Sequence, residues 1–204
     1  DPIDLTINTA AANIISTTLS NSNVIIEVNA NTTACPSIGG CTQNGSGSLT
    51  IASGADILKS GGNLTTLTLS ASGIFNLNAN ISGENLEVVI RSSIAYLNVG
   101  TTISATKVTV QAQTIYAAGT VQTSNYLSNI NSGSLGNAIN LLAQAIYVSG
   151  RLSANAVGSV AGSITLTANT INLNQAAQLE ANGDEGGLIT IAANDSTWSS
   201  ATVQ

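Results

Sequence analysis

A chain of 204 residues that is 43% hydrophobic but only 7% charged and 3% aromatic can bury a core, yet lacks the composition of an ordinary enzyme or a helical bundle. Four cations (Lys59, Arg91, Lys107 and Arg151) against ten carboxylates leave a net charge of −6, which excludes a phosphate-neutralising nucleic-acid surface and attraction to an anionic membrane. No apolar run approaches the roughly 20 residues of a spanning helix, so membrane insertion is not expected either.

Period-two alternation begins at once and recurs along the chain: Leu5-Thr-Ile7, Val24-Ile-Ile26, Leu49-Thr-Ile51, Leu67-Thr-Leu69, Leu86-Glu-Val88, Val108-Thr-Val110, Ile139-Asn-Leu141, Ile164-Thr-Leu166 and Ile189-Thr-Ile191. Alternation of this kind marks strands with one inward face. β-Branched residues, Gly and Asn dominate, and no helix is predicted.

Between the second and third strands lies Cys35-Pro-Ser-Ile-Gly-Gly-Cys41, in a Gly-, Asn- and Ser-rich loop over 29–48. A local Cys35–Cys41 disulfide there suits an oxidising compartment; two free thiols are the alternative, and without a nearby His the pair is a poor zinc site.

The nine strand starts recur at solenoid-like intervals. Ile74, Ile115, Ile146 and Ile171 each follow a start by the same distance, and Ile81, Val121, Leu152 and Leu179 give a third apolar position. Three short strands per repeat, separated by turn residues, predict a right-handed parallel β-helix of about nine coils. The whole of 1–204 reads as a single unit, with a protruding polar insertion at 122–138. Neither end reads as a cap, so the expectation is a segment of a longer stalk.

Phe75, Tyr116 and Tyr147 fall directly after an inward Ile, so alternation points them outward into an aromatic strip, with Tyr96 displaced by a longer repeat. Exposed rings there are candidate glycan contacts. The competing reading is that they clamp neighbouring coils.

Other chemistry finds little support. The carboxylates Asp56, Glu84, Glu87, Glu180, Asp184, Glu185 and Asp195 lie mostly at turns or strand ends, without a recognisable acid–base constellation, so an enzyme is not expected. No cofactor or metal is expected: Asp184-Glu-Gly-Gly lacks the repeated calcium-binding nonapeptide. Thr50, Thr68, Thr109, Thr165 and Thr190 suggest a threonine rank of the ice-binding kind, interrupted by Glu87 and Asn140. Asn-x-Ser/Thr triplets at Asn31, Asn44, Asn63, Asn80 and Asn194 arise readily from such a composition.

The opening Asp1-Pro-Ile-Asp-Leu-Thr-Ile, then Ile14-Ile-Ser-Thr-Thr-Leu, Asn23-Val-Ile-Ile, Gly45-Ser-Gly-Ser-Leu-Thr-Ile and Leu67-Thr-Leu-Ser-Ala resemble an internal segment of filamentous haemagglutinin-like exoproteins. The likeness is specific over about 1–83 and generic beyond. It implies a secreted bacterial cell-surface rod, exported by an outer-membrane two-partner transporter through a secretion domain whose Asn-Pro-Asn motifs do not occur here. It further implies a role in adhesion to host-cell or biofilm surfaces, through glycan or protein, or in carrying a toxin; the shaft alone does not choose among these.

Overall fold

The computed structural model describes residues 4–29, 46–124, 137–155, 162–182, 186–198 and 202–203. Strand β1 (Asp4–Ile7) and helix α1 (Thr9–Leu19) make a leading partial turn. Seven three-stranded turns follow: β2 (Val24–Val28), β3 (Ser48–Ile51) and β4 (Ile57–Lys59); β5 (Thr65–Ala71), β6 (Ile74–Leu77) and β7 (Ile81–Gly83); β8 (Leu86–Arg91), β9 (Ile94–Leu97) and β10 (Thr102–Ala105); β11 (Lys107–Gln111), β12 (Thr114–Ala117) and β13 (Thr120–Ser124); β14 (Ala138–Leu142), β15 (Ala145–Val148) and β16 (Arg151–Asn155). In the last two turns one bent strand supplies the first two faces: β17 (Ser163–Leu173) with β18 (Gln178–Glu180), then β19 (Leu188–Trp198) with β20 (Thr202–Val203).

Every strand pairs in parallel with its equivalent in the next turn, giving three ladders around one axis, a parallel β-helix. The second ladder holds eight layers from β1 to the end of β19, which at about 4.8 Å per strand spans about 34 Å.

Aliphatic side chains stack inside each ladder because alternate residues of a strand face the axis. Leu67, Val88, Val108, Ile139 and Ile164 form one inward column, Ile115, Ile146 and Ile171 lie in a second, and Ile57, Ile81, Ile103, Val121, Leu152 and Leu179 form a third; all are fully buried. Each contributes roughly 1.5–3 kcal/mol of burial. The third apolar position read from sequence is therefore in line.

The register corrects other expectations. The turns number seven among the described residues, rather than nine, because Leu5 and Leu49 belong to the second ladder, where they pair with each other. Val88, not Leu86, is the partner of both Leu67 and Val108. Ile74 is not in the inward column of Ile115; it pairs with Ile94, and Phe75 takes the inward place. The cause is the corner Ser72-Gly73, one residue longer than the corner formed by Gln113. Gly73 is pressed against the loop below, where a Cβ would lie 2.2 Å from the Ser46 carbonyl oxygen.

Helix α1 is a second correction. Asn8 caps it, its Oδ1 accepting from the Ala11 N–H at 3.0 Å, and the Ala10 to Ala12 run favours helix. Ser16, Thr17 and Thr18 turn their hydroxyls back onto the carbonyls of Ala12, Asn13 and Ile14, which satisfies them without breaking the helix. Ala12, Ile15 and Leu19 form its buried face. The helix packs on β4 and occupies the place a third-ladder strand would take. Ser16 Oγ accepts from the Leu58 N–H at 2.9 Å, and Thr65 Oγ1 donates to the Leu19 carbonyl at 2.7 Å. This covers an edge of β4 that would otherwise present unpaired donors.

The 29–48 loop with Cys35 and Cys41 lies outside the described residues over 30–45, as do 125–136 of the proposed insertion; residues 122–124 belong to β13 and Ala138 opens β14.

Candidate functional site

The second ladder carries the aromatic strip on its outer surface. Tyr96 in β9, Tyr116 in β12 and Tyr147 in β15 are direct register partners, flanked in the same column by Asn76 and Asn172. Their rings stack nearly parallel, with centroids 4.9 Å apart and planes 7° apart for Tyr96 and Tyr116, and 5.1 Å and 10° for Tyr116 and Tyr147. These separations match the strand spacing, so the ladder itself sets the stacking.

Two of the three expected contacts are therefore on the surface: Tyr116 is 37% and Tyr147 39% exposed. Phe75 is not. It is fully buried between Leu49 and Ala95 in the inward column, because the longer corner at Ser72-Gly73 reverses its side. Tyr96, expected to be displaced, completes the strip. Sequence reasoning missed it by starting its strand at Leu86 rather than Val88, two frames of the same parity.

Stacking also limits what the strip offers. Both faces of Tyr116 are covered by neighbouring rings, and only the outer faces of Tyr96 and Tyr147 look along the axis. A ligand meets a rank of ring edges and hydroxyls. Beside it runs an amide step in which Asn98 Nδ2 donates to Asn78 Oδ1 at 2.8 Å.

The threonines divide between faces. Thr68, Thr109, Thr165 and Thr190 share an outward column of the first ladder with Ile25, Val89 and Asn140, whereas Thr50 lies in the tyrosine column. Glu87 stands one column away, in register with Lys107. The rank is thus broken by Val89 and Asn140.

The carboxylates are dispersed. Asp56 latches a turn by accepting from the Asn80 N–H at 2.8 Å. Glu180 accepts from Arg151 in a bidentate pair, at 3.1 Å from Nε and 2.5 Å from Nη2. That hydrogen bond holds the Glu180 carboxyl below its ordinary value, burial opposing and Ser153 assisting. Asp184 and Glu185 lie outside the described residues, and among those described no group of three or more Asp, Glu, His or Cys could hold a metal.

One cation lies inside the rod. Lys59 faces inward at the end of β4 and is 1% exposed, its Nζ donating to the carbonyls of Gly61 at 2.6 Å and Glu84 at 2.8 Å. Burial lowers its pKa, with the Glu84 carboxylate opposing. Outside it is an open hollow of about 390 Å³ whose lining includes Leu58, Ser82, Glu84 and Ser104.

Among the described residues no helix is long and apolar enough to cross a membrane. No protein-family model matches the chain, and no curated protein or solved structure matches it either.

Proposed function

We propose that this chain is a structural segment of the shaft of a large secreted bacterial surface adhesin. Its own task is spacing, and the parent protein's task is attachment to host-cell or biofilm surfaces, with export through an outer-membrane two-partner transporter. The observation that carries this reading is the unbroken inward column from Leu67 through Val88, Val108 and Ile139 to Ile164. Such a column lets length be set by the number of turns, because each turn contacts only its neighbours. The sequence resemblance over 1–83 supplies the secreted, adhesive context. Glycan contact along the outer surface is part of the proposal, through hydroxyl and ring-edge contacts at Tyr116 and Tyr147.

Deleting residues 86–105 tests it, because Thr106 would then follow Asn85 in the register place of Leu86. The spacer reading expects a folded rod, shorter in small-angle scattering by about one strand spacing of 4.8 Å, and a parent adhesin that still attaches cells. Loss of the strand circular dichroism would overturn it. So would release of reducing ends from a polysaccharide by the intact chain.

A further inference from the structure

From the stacked column we infer that Tyr96, Tyr116 and Tyr147 are a site of oxidative cross-linking, in which a peroxide-driven peroxidase joins neighbouring turns through a dityrosine bond. The proposal is independent of what the rod attaches to.

Three observations converge. First, the rings lie face to face at 4.9 and 5.1 Å within 10° of parallel. Loss of one electron and the phenolic proton leaves a phenoxyl radical whose unpaired density sits partly on the ring carbons beside the oxygen. Two such radicals couple through π lobes perpendicular to the rings, which is the direction in which these rings meet. Second, Tyr116 and Tyr147 are more than one-third exposed, so their hydroxyls can deliver electrons to an external oxidant and their side chains can turn into the biaryl geometry after the bond forms. Third, the chain contains no Met, no His and a single Trp, so besides Cys35 and Cys41 few side chains compete for oxidising equivalents.

The step balances. Two tyrosines give up two electrons and two protons, one carbon–carbon bond forms, and the displaced ring hydrogens move to the oxygens to restore two phenols. One hydrogen peroxide accepts the two electrons and two protons and leaves as two waters. Tyr116 is the shared partner, able to join either neighbour. The product ties β12 to β9 or to β15, closing a loop across adjacent turns and restricting the unfolded chain as a disulfide does.

The test treats the dilute full chain with hydrogen peroxide and a haem peroxidase. The expected product is a monomer with dityrosine fluorescence, a mass lower by two hydrogens, a cross-linked peptide containing Tyr116, and a raised thermal midpoint. In Tyr116→Phe, Tyr96 and Tyr147 remain two turns, about 10 Å, apart, and the intramolecular product is lost while strand circular dichroism is retained. Wild-type chain that yields no dityrosine, or yields it only between molecules or through Tyr126, the remaining tyrosine of the sequence, which lies outside the described residues, overturns the proposal. So does an undiminished intramolecular yield in Tyr116→Phe. Should that variant unfold, peptide mapping of the wild-type product decides alone.

Discussion

Replacing Phe75 with Ala probes the inward column where the chain departs from simple alternation. The ring is fully buried, with Leu49 on one side and Ala95 on the other as register partners. Ala95 is too short to fill the vacated space and the ladder hydrogen bonds hold the strands apart, so the cavity persists. A loss of about 3–5 kcal/mol is expected, at the level of buried Phe truncations that cannot collapse. Urea unfolding followed by strand circular dichroism measures it, provided the m-value is unchanged. The swap Phe75→Ala with Ala95→Phe moves the ring by one turn in the same column. Ala95→Phe alone overpacks beside Phe75, at a cost of about 1–3 kcal/mol. The double variant is expected to be more stable than the sum of the single losses predicts by at least about 1 kcal/mol. If Phe75→Ala costs under about 1 kcal/mol, or the two losses simply add, the assigned register is wrong.

Two further outcomes follow from local geometry. Asn8→Ala removes the cap on α1 and is expected to cost about 1 kcal/mol, with a reduced helical contribution to circular dichroism; an unchanged spectrum and midpoint would contradict the cap. For Glu180, the lowered pKa means that its contribution is present above the ordinary carboxylate value and disappears as pH falls through the lowered one. Wild type should therefore lose stability relative to Glu180→Gln on acidification. Because the Arg151 side chain is 41% exposed, the effect at neutral pH is expected below about 1 kcal/mol, and parallel pH profiles for the two proteins would refute the linkage.

The architecture was legible because inward positions repeat as Leu, Ile or Val, and parity survives within a strand. Translation along the strand was not. Leu86-Glu-Val88-Val-Ile90 places Leu86 and Val88 on the same side, so alternation fits either as the start, and the wrong choice moved Tyr96 out of its column. Corners are where parity is lost: one additional residue at Ser72-Gly73 turned Phe75 inward while leaving Tyr116 outward. Helix α1 escaped because its Ser and Thr content reads as strand. The back-bonding that makes those hydroxyls compatible with a helix is a property of the folded backbone. The Asn8 cap and the Ala run were the signals that could have found it. The tyrosine strip was half legible, since its existence follows from repeat spacing whereas its covered faces follow from the strand-to-strand distance.

The corners of the rod differ in tolerance. Between the second and third faces, Gly150 sits so close over Gly119 that an added Cβ would lie 1.9 Å from the Gly119 carbonyl oxygen, and no side chain fits. Between the third and first faces the chain takes up the largest surplus: the short step from Val88 to Val108 and the long one from Val108 to Ile139 arrive at the same register, with the surplus leaving after β13 and rejoining at β14. The register holds across that insertion, so diversification under selection, or a grafted epitope, belongs after β13, clear of Gly150 over Gly119 and equally of Gly162, where an added Cβ would lie 1.8 Å from the Ala154 carbonyl oxygen.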